Sequence, residues 1–155
     1  MDIGSKGFPA GTLSNFSPHP FILDGVECAS MEGFLQSLKF DKIPVQNEIC
    51  KLVGLRAKTR GQKRNKAWKR VQKLWWQGQE FDRRGDEFQK LLDRAFEALA
   101  QNTGFKNALL ATKNAVLTHS MGKNKKSDTV LTVSEFCGRL MKIREKLKKE
   151  QQTQD

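Results

Sequence analysis

Apolar residues follow two different periods along this chain. Up to Cys28 the sequence is interrupted by Gly4, Gly7, Pro9, Gly11, Pro18, Pro20 and Gly25, too many breakers for a helix. Short strands fit that segment, one near Thr12–Phe16 and one spanning Phe21–Cys28 with its turn at Asp24-Gly25. From Ser30 the period becomes helical. In "SMEGFLQSLKF" Ser30 is an N-cap residue, and Met31, Phe34, Leu35 and Leu38 form one apolar stripe. Val45, Ile49, Leu52 and Val53 predict a second helix over Val45–Lys58, with Pro44 just ahead of it and Gly61 near its end. Further helices are expected over Lys66–Gln77, Asp86–Gln101 and Phe105–Thr112, the last opened by Asn102, Thr103 and Gly104. "NAVLTHS" (Asn114–Ser120) reads as a buried strand, and the polar loop Met121–Asp128 after it as mobile or ligand-binding. Thr132 and Glu135 then form a capping box for a final helix carrying Phe136, Leu140, Ile143 and Leu147 on its apolar side.

Nothing in this pattern repeats or marks a linker. Residues 1–150 are expected to form a single domain, with 151–155 a polar tail that frays from Lys148 onward. A chain of 155 residues can bury about two-thirds of its unfolded surface around one core. With 37% hydrophobic and 29% charged residues it is globular rather than disordered. No apolar run approaches the roughly 20 residues that span a bilayer. "MDIGSKGFPAG" lacks the charged-then-apolar pattern of an export signal, so no membrane partner and a cytoplasmic location are expected. Cys28, Cys50 and Cys137 are odd in number and widely spaced, which predicts buried free thiols and neither disulfides nor a metal knuckle. No cofactor is expected.

Charge narrows the class of partner. The net charge is +11 and the isoelectric point about 9.8, a field that attracts phosphates. The excess is concentrated: between Ile49 and Gln79 there is no acidic residue, while Arg56, Lys58, Arg60, Lys63, Arg64, Lys66 and Lys69 accumulate. Such a run forms either a solvated helix face or a phosphate-binding surface.

The helix over Ser30–Phe40 also carries a polar row. At about 100° per residue, Glu32, Gln36 and Lys39 fall within roughly 60° of one another, beside the apolar stripe. Within "LSNFSPHPFILDGVECASMEGFLQSLKF" the order Ser-Asn-Phe, Asp-Gly, then Glu, Gln four residues later and Lys-Phe resembles the opening of the NADAR, or YbiA-like, family. Trp68 in "NKAWKRV", "LLAT" at Leu109–Thr112, "VLTHS" at Val116–Ser120 and "LMKIREKL" at Leu140–Leu147 are similar to later family segments in the same order. The resemblance implies a small, compact, mainly helical α+β domain with a few short strands. It also implies metal-independent N-glycosidase chemistry, cleavage of the bond between a ribose C1 and a nitrogen. The implied substrates are phosphate-bearing ribosides, either ADP-ribosylated guanine in DNA or RNA or riboflavin-pathway intermediates. Two features depart from the family: Gly33 stands where a histidine is usual, and "HSMGKNKKSDTVL" replaces a glycine-rich Trp-Gly element.

Cleaving an N-glycosidic bond builds positive charge on the ribose, so a fixed carboxylate near C1 stabilises the transition state or aligns a water. Glu32 is the candidate for that catalytic carboxylate. Gln36 would hold a hydroxyl or the water, and Lys39 would set the charge of the site or reach a phosphate. From the matching segment, Asn15 is assigned a hydrogen bond to substrate, and Phe16 a wall or stacking role or else a place in the core. Arg60 and Arg64 are candidates to grip phosphates, and His119 is a better site candidate than His19. Asn124, Lys125 and Asp128 are candidates to meet a ligand from the divergent loop. Against catalysis stand three alternatives: a non-catalytic module binding ADP-ribose or nucleic acid, a charged interaction protein with no ligand pocket, and a helix whose Glu32 and Lys39 are merely exposed.

Overall fold

A computed structural model describes residues 1–4 and 6–154; Asp155, the end of the expected tail, lies outside the described residues. The helical part is α1 (Met31–Ser37), α2 (Ile43–Cys50), α3 (Gly54–Gln62), α4 (Asn65–Val71), α5 (Asp86–Leu99), α6 (Thr103–Ala111) and α7 (Val133–Gln154). Two antiparallel hairpins complete it, β1 (Phe21–Leu23) with β2 (Val26–Cys28), and β3 (Lys73–Trp76) with β4 (Gln79–Asp82). This is the mainly helical α+β architecture expected. None of the described helices is long and apolar enough to cross a membrane.

The first hairpin turns at Asp24 (φ 50°) and Gly25 (φ 78°), the left-handed pair that suits the twist of a two-residue loop. Asp24 then ties the turn to the core, accepting from Trp76 Nε1 at 2.8 Å and from Arg94 at 2.7 Å. Phe21, Phe34 and Trp76 meet edge to face, with centroids 6.2 and 4.9 Å apart, so hairpin, α1 and β3 share one core. Cys28, Cys50 and Cys137 are buried free thiols within or beside it.

Four expectations about elements are corrected. Thr12–Phe16 forms successive turns, not a strand, with the amides of Leu13, Ser14 and Ser17 bonded to Pro9, Gly11 and Ser14. The helix expected over Val45–Lys58 is two helices. Ser30 Oγ donates to the Leu52 carbonyl at 3.0 Å and the Ala29 amide to the Cys50 carbonyl at 2.8 Å, removing acceptors that continuation would need; Gly54 then takes φ 55°. The helix expected over Lys66–Gln77 stops at Val71. Gln72 turns left-handed, and Leu74 and Trp76 alternate inward along β3 while Trp75 stays half-buried. Asn114–Ser120 makes only a single parallel bridge, Thr118 to Asp2, and Val116 is exposed. The final helix runs on to Gln154.

Candidate functional site

α1 is fixed at both ends. At its N-terminus Ser30 accepts from the Gly33 amide at 3.1 Å, and the Glu32 amide donates to the Asn15 carbonyl at 3.0 Å. At the other end the buried Gln46 amide donates to the carbonyls of Ser37, Phe40 and Trp75, and Trp75 N–H donates to the Leu38 carbonyl at 2.9 Å. Gly33 lets α1 press against α2: a Cβ there would lie 2.5 Å from the Leu52 carbonyl oxygen and 2.9 Å from that of Ile49. The close approach that a glycine inside this helix serves is therefore backbone to backbone.

This scaffold opens the polar row into a cavity of about 420 Å³. Glu32, Gln36 and Lys39 all line it, with Asn15, Phe16, His119 and Asp128 from the candidate list. Phe16 is partly exposed at the wall and is not core. Asn124 is exposed and outside the lining, as is Lys125. Arg60 and Arg64 are outside it too, for a packing reason: their guanidinium carbons stand 5.0 and 6.0 Å from the centroid of the Phe40 ring. In their place Lys58, Gln62, Asn65 and Lys69 come from α3 and α4, with Lys123 from the loop after His119. Ala57 and Gly61, buried and four residues apart, mark the side of α3 that meets α1; Lys58 and Gln62 flank that seam toward the cavity and Arg60 flanks it on the other side.

Electrostatics in the cavity are unbalanced. The Glu32 carboxylate accepts from Gln36 Nε2 at 2.8 Å, and among the described residues it has no other hydrogen bond and no ion pair. Burial raises its pKa above the ordinary glutamate value; the Gln36 bond and the charges of Lys39, Lys58 and His119 only partly offset this. Lys39 is 6% exposed and donates to Asn65 Oδ1 at 2.6 Å. Burial lowers its pKa to about 8; Glu32 acts to raise it, while Lys69, Lys123 and Lys58 add to the fall. Four lysines and two carboxylates, Glu32 and Asp128, line the space, so a bound anion would be attracted. Among the described residues no group of three or more His, Cys, Asp or Glu is placed to hold a metal ion.

The far wall is built by residues remote in sequence. Ile3 N–H donates to the Thr118 carbonyl at 2.8 Å, and Asp2 accepts from Ser120 N–H at 2.7 Å and Ser120 Oγ at 2.6 Å. Arg83, fully buried, donates to the Thr129 carbonyl at 2.8 Å and to both oxygens of Glu135, holding the lining residues Thr129–Thr132 against α7. The family described as Bacteriophage protein GP30.3 matches residues 7–145, a span that takes in α1 and nearly the whole of this wall. The chain belongs to the GP30.3 family. It is similar to an uncharacterized 17.1 kDa protein in the Gp30-rIII intergenic region of Enterobacteria phage T4, at 39% identity over 142 residues, 90% of this chain and 93% of that one. The GP30.3-family fold seen here is also similar to the NMR structure of the Escherichia coli protein YbiA, with a TM-score of 0.63 at 19% identity, covering 97% of this chain and 86% of that one. The YbiA-like fold expected from the sequence is the fold the chain adopts.

Proposed function

We propose that this GP30.3-family chain is a hydrolase of N-glycosidic bonds that acts on a phosphate-bearing riboside, with Glu32 beside the anomeric carbon. The observation that carries the proposal is the state of Glu32: a carboxylate withdrawn from water in a cavity, given one amide hydrogen bond and no ion pair among the described residues. A carboxylate is left so poorly compensated where a positive charge is to appear beside it, and a ribosyl cation is such a charge.

The other residues divide the remaining work. Gln36 fixes the Glu32 rotamer through its amide. Lys39, with a pKa of about 8, is largely protonated at neutral pH and can give a proton to the departing nitrogen. Lys58, Lys69 and Lys123 attract the phosphates, while Asn15 and Phe16 hold and cover the riboside. ADP-ribosylated guanine in nucleic acid and phosphorylated riboflavin-pathway intermediates are the substrates to test, since both join phosphate, ribose and a nitrogen-linked base.

In the test, purified protein and its Glu32→Gln variant are incubated with an ADP-ribosylated oligonucleotide and with riboflavin-pathway intermediates. Release of a base by the wild type, slowed at least about 100-fold in the variant, is the expected result. Equal turnover by the variant removes Glu32 from the mechanism. Release from no substrate, with salt-sensitive binding retained, favours the second reading, a non-catalytic ADP-ribose or nucleic-acid binding module. That reading draws on the loop 121–128, where Lys123, Lys125 and Lys126 stand in place of the Trp-Gly element of the NADAR pattern that the sequence resembles.

A further inference from the structure

His119 stands on the wall opposite α1, and the structure decides which of its nitrogens carries hydrogen. Nδ1 lies 2.7 Å from the Ile3 carbonyl oxygen. A carbonyl only accepts, so Nδ1 is the donor and, in the neutral ring, Nε2 holds the free lone pair. Nε2 has no hydrogen-bond partner among the described residues, although the ring lines the cavity that contains Glu32.

The ring is also held still. It meets Phe136 edge to face at 5.5 Å, and the Gly122 amide donates to the His119 carbonyl at 3.0 Å. A Cβ at Gly122 would lie 2.7 Å from His119 Cδ2, so the loop closes against the ring on that side. The chain on either side of it is fastened through Thr118 and Ser120 to Ile3 and Asp2, as described above. A histidine anchored by one nitrogen to a backbone carbonyl, with the other bare in a ligand-sized cavity, has the form of an oriented proton acceptor.

We infer that His119 is the proton carrier of this site, its Nε2 taking a proton from the water that attacks the anomeric carbon. This rests on the hydrolysis proposed above. As the water oxygen bonds to C1, the C1–N bond breaks and its electron pair leaves with the nitrogen. One water proton passes to Nε2, giving an imidazolium, and the other stays on the new hydroxyl. The departing nitrogen takes its proton from the Lys39 ammonium, and exchange through solvent returns the imidazolium proton to Lys39. Glu32 faces the developing cation throughout and keeps its charge.

Two substitutions separate this role from a structural one. Asn at 119 can still donate to the Ile3 carbonyl but has no group at the Nε2 position, whereas Gln extends an amide toward that position. The charged groups that share the cavity lining with the ring are Glu32 from α1, Lys39 just after it, Lys58 from α3, Lys69 from α4, and Lys123 and Asp128 from the loop. Asp2 accepts from the neighbouring Ser120.

The experiment measures base release by wild type, His119→Asn and His119→Gln across pH, and the nitrogen chemical shifts of the wild-type ring. Expected are an Nδ1 of protonated type and an Nε2 of bare type in the neutral ring. For His119→Asn the expected result is a fall in kcat of about 100-fold with KM within about threefold, and partial rescue by free imidazole. An Asn variant within about threefold of wild-type kcat, or one that free imidazole does not rescue, overturns the role. So does the opposite tautomer in the wild type, a result that stands even if the variants fail to fold. No base release by the wild type itself overturns the hydrolysis proposal and this one with it.

Discussion

Glu32 and Glu135 both sit in the first turn of a helix and both are largely withdrawn from water, yet they are compensated very differently. Glu135 accepts from Arg83 on both oxygens at 2.6 and 3.1 Å, from Gln89 Nε2 at 2.6 Å and from the Thr132 amide at 2.8 Å. Burial acts to raise its pKa, but these hydrogen bonds and the Arg83 charge outweigh burial and hold it at about 2. Among the described residues the Glu32 carboxylate has Gln36 alone, and burial wins. A buried carboxylate with its lone pairs filled is structural cement. One left with most of them unfilled is free to respond to a ligand.

Breaking the saturated end should have the largest effect. Arg83→Met leaves Glu135 buried without its counter-ion and releases Thr129, and is expected to cost about 3–5 kcal/mol in urea unfolding. The pH dependence follows from the sign of the shift. A folded pKa of about 2, below the ordinary 4.5, gives stability that is complete above pH 4.5 and is lost as pH falls toward 2. That contribution is on the order of 3 kcal/mol. Glu135→Gln should therefore flatten the acid limb of the stability curve, and an unchanged limb would show that other carboxylates set it.

The under-bonded end behaves in the opposite sense. Because its folded pKa is raised, ionised Glu32 lowers stability at neutral pH, and protonation in acid relieves this. Glu32→Gln should thus match the wild type or exceed it by about 1 kcal/mol at pH 7, while base release falls about 100-fold or more. Loss of stability together with activity would make Glu32 a second structural carboxylate and end the contrast. Gly33→Ala comes next: with a Cβ 2.5 Å from the Leu52 carbonyl oxygen and no flexible side chain to yield, about 2 kcal/mol should be lost in the same unfolding measurement.

What could be read from the sequence was local. The Ser30 cap, the Asp24-Gly25 turn, the Thr132/Glu135 capping box and the row of Glu32, Gln36 and Lys39 each depend on residues within one or two turns. The interruption after Cys50 was hidden because its cause, Ser30 Oγ on the Leu52 carbonyl, lies 22 residues away. β3 was hidden because Val71, Leu74 and Trp75 also fit helical spacing, and only the reversal at Gln77-Gly78 and pairing with β4 make it a strand. In the site, Arg60 and Arg64 were indistinguishable from Lys58 and Lys69 by charge. For the pair on α3, Lys58 and Arg60, the small residues Ala57 and Gly61 carried the missing information, since they fix which side of that helix meets α1.

Gly61 gives the smallest and most specific test of the contrast. A Cβ at this position would fall 1.8 Å from Gln36 Oε1, 2.5 Å from its Cδ and 2.8 Å from its Cβ, so alanine must turn the Gln36 side chain away. The strain is partly offset by the better helix propensity of alanine, about 1 kcal/mol, leaving a net loss of about 1 kcal/mol. The chemical effect is separate. Without the Gln36 amide, Glu32 loses the main interaction that opposes burial, so its pKa should rise further and the acid limb of the pH–rate profile should move to higher pH. Base release at pH 7 should fall about 10-fold, with substrate affinity nearly unchanged, since the lysines on the cavity wall are untouched. If Gly61→Ala instead leaves the acid limb in place, Gln36 does not govern the ionisation of Glu32, and the carboxylate's lone amide bond would not be what separates it from Glu135.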